Sequence, residues 1–286
     1  MSEIDQREQK NAALFSGATP NQKGVSMIEA AREKLDLEIP FATVPLPSGG
    51  LVYPPSSPYH GKTEVEIKAM TTKEEDILMS RALIKKGTVL TELIRSCIMN
   101  PGVDVNELLS GDRMALMVAI RMTGYGNEYT PEIKCPSCEK LQKTSVDLSQ
   151  LDIKNLTLEP DAKGENRFSF TLPVCKKTVQ FRFLTGKEEE EITTVMESRK
   201  NRGIQIDNAI STRLIYSIIS VDGRTEKGFI SDFANNMPAR DSLSLRKYIE
   251  ANEPGVEMKF QFTCVECSHT GEVAVPIGAA FFWPQS

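Results

Sequence analysis

Four cysteines carry the chemistry that is easiest to name in this chain. Cys135 and Cys138 lie in the run Ile-Lys-Cys-Pro-Ser-Cys-Glu at 133–139, and Cys264 and Cys267 in Phe-Thr-Cys-Val-Glu-Cys-Ser at 262–268. A two-residue gap lets both thiolates of a tight knuckle face one cation, and two such pairs supply the four sulfurs of a tetrahedral structural zinc site, one Zn2+ per chain. About 125 residues separate the pairs, so the metal would tie together two distant parts of the fold. Closing such a loop costs about 4 kcal/mol beyond a constant, whereas a structural zinc site returns roughly 10 kcal/mol or more. The same residues also fit reduced thiols, two sites completed by partner chains, a redox pair, or a site in which His269 replaces a cysteine. Redox chemistry is disfavoured because both pairs follow apolar strands and neither opens a helix that would lower a thiol pKa.

Composition narrows the classes. Of 286 residues, 40% are apolar and 26% charged, an ordinary globular balance with room for two modest domains or an internal duplication. The formal charge of −5 gives no general attraction to a phosphate backbone. No apolar run is long enough to span a bilayer, and the first residues lack a signal-peptide pattern. A reducing, cytoplasm-like compartment is expected, where paired cysteines are metal ligands rather than disulfides. Two histidines leave little for His-based catalysis, and no phosphate-cradling, HExxH or GxSxG motif is present. The acidic runs at 73–76 and 187–191 read as solvated first turns of helices, and Cys97 and Cys175 as small buried hydrophobes.

These cysteines must be positioned by the elements around them. Residues 1–25 read as a flexible tail. A short helix capped by Ser26 carries Met27, Ala30, Ala31, Lys34 and Leu35 on one face and ends before Pro40. The proline-rich arm 41–59 excludes a helix or a central strand, so its apolar residues lie over this chain or a partner. Alternation from Thr63 predicts a strand, Thr71 or Thr72 caps a helix, and helical periodicity runs over 88–99 and 110–123. Strands enter and leave the first knuckle. The second half repeats that order. Thr71, Lys73, Glu74 and Glu75 match Thr185, Lys187, Glu188 and Glu189, helices follow at 207–219 and 238–251, and strands flank the second knuckle.

The expected fold class is therefore α+β. It comprises two similar repeats of strand, helices, strand, CxxC knuckle and strand, joined by a shared zinc-ribbon-like site. The expected units are 1–25, 26–61, 62–158 and 159–286. Each copy would bring half of the metal site.

The run Leu-Pro-Ser-Gly-Gly-Leu-Val-Tyr-Pro at 46–54, the Cys-Pro-x-Cys knuckle, the later Cys-x-x-Cys and the closing Phe-Phe-Trp-Pro at 281–284 together resemble the T4-type bacteriophage baseplate proteins. These are hub subunits or hub-assembly factors of contractile tails, and the resemblance covers roughly 41–284. It implies a non-enzymatic structural or assembly role in a phage tail, with synthesis in the cytoplasm of the infected bacterium and other tail proteins as partners. The residues expected to meet partners, or further copies of the chain, are Phe41, Leu46, Leu51 and Tyr53 in the arm and Phe281, Phe282 and Trp283 at the aromatic end, which alternatively docks on the chain's own core. The alternative is a zinc-ribbon nucleic-acid-binding regulator. It needs a basic face near the knuckles, but Lys134, Lys140, Lys143 and Lys259 are balanced by Glu132, Glu139, Glu257 and Glu266.

Overall fold

The computed structural model of the protein describes residues 39–99, 104–201, 208–277 and 279–282. The expected tail 1–25, the helix capped by Ser26 and the side chain of Trp283 lie outside them. Among the described residues, helices alternate with small antiparallel sheets, which makes the chain α+β.

Strand β1 (Phe41–Pro45) pairs antiparallel with β2 (Glu64–Lys68), Val44 opposite Val65 and Ala42 opposite Ile67. Proline cannot donate to a central ladder, and β1 meets that restriction as one edge of a two-stranded sheet with Pro45 at its end. The arm therefore belongs to the fold, and the hairpin crosses the boundary expected between 61 and 62. Helix α1 (Thr72–Met79) begins with a capping box in which the Glu74 carboxylate accepts from the Thr71 N–H and hydroxyl. Helix α2 (Arg81–Lys86) buries none of its residues and stops at left-handed Gly87. Helix α3 (Val89–Cys97) presents Leu93, Ile94 and Cys97 to the core, and Ile98 beyond it bridges to Ile67 of β2. Helix α4 (Ser110–Tyr125) is buried nearly all round and forms the centre of the molecule.

The short strands β3 (Glu128–Tyr129) and β6 (Val146–Asp147) pair with each other. They bracket the hairpin of β4 (Glu132–Lys134) and β5 (Leu141–Lys143). The sheet order β10-β9-β8 then unites β8 (Phe168–Thr171), β9 (Thr178–Phe181) and β10 (Ile218–Val221). Between β9 and β10 run α5 (Gly186–Asn201) and α6 (Ala209–Ser217), followed after β10 by α7 (Lys227–Asn236) and α8 (Ala239–Asn252). The Glu188 carboxylate accepts from the Thr185 N–H and hydroxyl just before α5. Strand β11 (Gly255–Val256) pairs with β7 (Ile153–Lys154), and β12 (Lys259–Thr263) with β13 (Thr270–Ala274).

One apolar core runs from Val44 through Leu116 and Phe181 to Phe282, so the boundary expected at 158/159 has continuous packing across it. At Gly111, on the first turn of α4, the backbone of Pro254 comes so close that an added Cβ would lie 1.8 Å from its carbonyl oxygen. Only glycine permits that approach of α4 to β11.

Two buried aspartates fix the loops that follow Leu46-Pro47 and Leu172-Pro173. Asp112 accepts from the Ser48 N–H (2.9 Å), the Ser48 hydroxyl (2.6 Å) and the Tyr53 hydroxyl (2.5 Å). Asp241 accepts from the N–H groups of Val174 (2.7 Å) and Cys175 (3.0 Å). Burial raises the pKa of Asp112 despite its donors. At Asp241 burial also acts upward, but the two backbone donors outweigh it and hold the carboxyl low.

Candidate metal centre

The two knuckles have the same local build. In the first, the Cys135 N–H donates to the Lys140 carbonyl and the Glu139 N–H to the Cys135 carbonyl, both at 2.9 Å. In the second, the Cys264 N–H donates to the His269 carbonyl (2.9 Å) and the Ser268 N–H to the Cys264 carbonyl (3.0 Å). Glu139 and Ser268, each four residues past the first cysteine, take the left-handed conformation at φ 61° and 56°. That conformation turns the chain back so that both cysteines of a pair point to one side.

The four Sγ atoms all lie within 4.8 Å of one another. Cys135 approaches Cys267 at 3.7 Å, and Cys138 approaches Cys264 at 3.6 Å. All four are free thiols. Tetrahedral zinc with bonds of about 2.3 Å places its sulfurs about 3.8 Å apart, so the donor set fits a four-thiolate metal ion in chemistry and in spacing. Cys135 and Cys264 are buried on a small apolar floor with Ile133 and Phe262, while Cys267 faces solvent.

Local donors already favour negative charge. Backbone N–H groups of Cys138 and Ser137 point at the Cys135 sulfur and draw its thiol down to about 6. At Cys138 the Lys140 N–H acts in the same direction, but burial and the adjoining sulfurs prevail and push that thiol up to about 12. Sulfurs this close resist carrying several negative charges together unless a cation sits among them.

The nearby charges are paired rather than massed. Lys140 meets Glu266 of the other knuckle at 2.5 Å, and Lys134 meets Glu139 at 2.9 Å. His269 contributes its carbonyl to the second knuckle; its ring is not a member of the four-sulfur group.

The residues expected to meet partners are placed differently. Leu46, Tyr53, Phe281 and Phe282 are buried in the main core, Phe281 and Phe282 completely. Phe281 packs edge-on against Tyr129, and its carbonyl accepts from Arg121 Nε at 2.8 Å. Their apolar area is thus withdrawn from solvent by this chain's own helices. Phe41 is half-buried, and Leu51 is exposed at 54%.

The acidic runs also depart from expectation at one position. Glu74 is fully buried, ion-paired to Lys68 at 2.6 Å and bonded by Ser96 at 2.6 Å. Its place in the first turn of a helix is visible in the sequence; its distant partners are not. Cys97 is buried as expected, and burial raises its thiol to about 12. Cys175 is only partly covered.

Residues 53–283 match the family described as T4 bacteriophage base plate protein. The match takes in most of the chain and both knuckles, and the protein belongs to that family. No curated protein and no solved structure matches the chain. Among the described residues, no helix is long and apolar enough to cross a membrane.

Proposed function

We propose that the protein is a non-enzymatic structural or assembly component of a contractile phage tail baseplate hub. It acts by binding other tail proteins, and one structural zinc ion on Cys135, Cys138, Cys264 and Cys267 holds its frame. Membership of the base plate family supports the tail role. The observation that carries the metal reading is the convergence of two cysteine pairs, more than 120 residues apart in sequence, with Sγ separations of 3.6 and 3.7 Å.

The site supports a clamp between two halves of a duplicated unit. Each half has a hairpin whose first strand ends at a Leu-Pro, a glutamate that accepts from the N–H of a threonine three residues earlier, and a helix followed by an isoleucine that pairs back to the preceding strand. Each then has a helix with a buried aspartate in its first turn, and a CxxC hairpin. With Leu46, Tyr53, Phe281 and Phe282 committed to the core, partner contact would fall on exposed apolar residues such as Leu51, Met79, Ile84 and Val265. The work of the chain would be done in the cytoplasm of the infected host or in the assembled tail.

Elemental analysis of the purified protein should give one zinc per chain, and Cys135→Ser should lower both zinc content and melting temperature. Co-purification from infected cells should recover other tail proteins with the wild type, and fewer with Leu51→Asp. Absence of zinc, with unchanged melting of Cys135→Ser, overturns the metal half. Absence of tail proteins from the wild-type pull-down overturns the assembly half.

A further inference from the structure

Gln142 reaches from the first knuckle to the second and bonds both backbone groups that flank Cys264. Its Nε2 donates to the Thr263 carbonyl at 3.0 Å, and its Oε1 accepts the Val265 N–H at 2.9 Å. The same Nε2 lies 3.2 Å from Thr144 Oγ1 on its own hairpin. One amide thus pairs with a donor and an acceptor in the manner of an added strand residue, and the two needs fix which way it faces.

The knuckles can be aligned from their own hydrogen bonds. Cys135 N–H goes to Lys140 and Cys264 N–H to His269, so Lys140 corresponds to His269 and Gln142 to Gly271. Strand register agrees: Ile133 opposes Gln142 where Phe262 opposes Gly271. The same rotation exchanges the two cross-pair contacts, Cys135 with Cys267 and Cys264 with Cys138. Under that correspondence Val265, which follows Cys264, matches Pro136, which follows Cys135. Val265 has an N–H to satisfy, and Pro136 has none. The knuckle with a donor is met by a glutamine, and the knuckle without one faces a glycine.

We infer that Gln142 is the positioning residue of the metal centre: it sets Cys264 against the first knuckle, and the pair Pro136 and Gly271 is the same contact left blank on the other side. This rests on the zinc reading above. The amide touches no sulfur; it acts through the backbone on either side of Cys264. Groups that orient ligands from outside the coordination sphere are worth roughly 10- to 100-fold in metal affinity. An amide that is half-buried and one bond removed from the ligand belongs at the lower end.

The test compares wild type, Gln142→Ala and the triple variant Pro136→Ala, Gln142→Ala, Gly271→Gln. The triple variant moves the amide to the opposite hairpin and supplies the missing N–H. A Cβ on Gly271 meets only the His269 ring, at 3.4 Å, so the replacement has room. Zinc affinity is read by competition with a chromophoric chelator, geometry by the visible spectrum of the cobalt-substituted protein, and general stability by melting of the metal-free forms.

Gln142→Ala should bind one zinc about tenfold more weakly, with altered cobalt bands and metal-free melting like that of the wild type. The triple variant should recover the affinity and the wild-type spectrum. Wild-type affinity and spectrum in Gln142→Ala overturn the inference and leave the zinc reading standing. So does a loss in Gln142→Ala that is matched by an equal loss of metal-free stability and is not repaired in the triple variant. A wild-type protein that binds no zinc removes the zinc reading and the inference with it.

Discussion

Replacing Glu74 by glutamine should remove a pH-dependent part of the protein's stability. The carboxylate is completely buried and accepts from Lys68 Nζ, Ser96 Oγ, Thr71 Oγ1 and the Thr71 N–H. Burial alone would raise its pKa, but those donors act more strongly and bring it from 4.5 down to about 2. Each pH unit of displacement is worth about 1.4 kcal/mol, so the ionised group contributes up to about 3 kcal/mol. The direction follows from the lowered folded pKa. The contribution is complete above about pH 4.5, declines as pH falls, and is gone once pH passes below about 2. Urea unfolding of wild type and Glu74→Gln, matched in metal content, should differ by up to about 3 kcal/mol at pH 7 and converge on acidification. A difference that does not change between pH 7 and pH 3, or no difference at pH 7, refutes the assignment of that energy to the ionised carboxylate.

Three other outcomes follow from the same geometry. Tyr53→Phe removes a hydroxyl that donates to Asp112 and accepts the Leu109 N–H. It should cost about 1–3 kcal/mol in chemical denaturation, because both partners remain buried without it. Gly111→Ala drives a Cβ into the Pro254 backbone and should cost at least about 3 kcal/mol, seen as a large fall in melting temperature or loss of soluble expression. A strong chelator should lower the melting temperature of the wild type and leave that of Cys135→Ser where it was, since only the former has a complete four-thiolate set to lose.

The parts of this fold that were legible in the sequence are those governed by near neighbours. The threonine and the glutamate that accepts its N–H at each of two helix starts stand three residues apart, and the cysteines of each knuckle likewise. Short-range geometry fixes both patterns, and both structures formed where the spacing put them. The apolar period over 110–123 likewise identified α4. What stayed hidden depends on partners far along the chain. Nothing local marks Asp112, and Ser48 and Tyr53, 64 and 59 residues upstream, make it a buried anchor. The arm at 41–59 is expected to lie over this chain or a partner because its prolines exclude a central strand; β2, distant enough in sequence to be unreadable from it, takes its first residues as an edge strand. Phe281 and Phe282 could dock on this core or on another subunit; the Tyr129 ring packs against Phe281, and Arg121 Nε donates to its carbonyl. Gln142 had no local signal at all. Its meaning appears only when Pro136 is seen to lack the hydrogen that Val265 carries.

The crossed contacts, Cys135 with Cys267 and Cys138 with Cys264, also set an order in time. A ribosome lays down the first pair about 125 residues before the second, a delay of roughly 6 to 25 seconds at usual rates of synthesis. Until then the nascent chain holds only two of the site's four sulfurs, which cannot enclose a cation by themselves. The aromatic pair that closes the main core comes later still. A chain truncated anywhere before residue 267 has neither the complete sulfur set nor that closing pair.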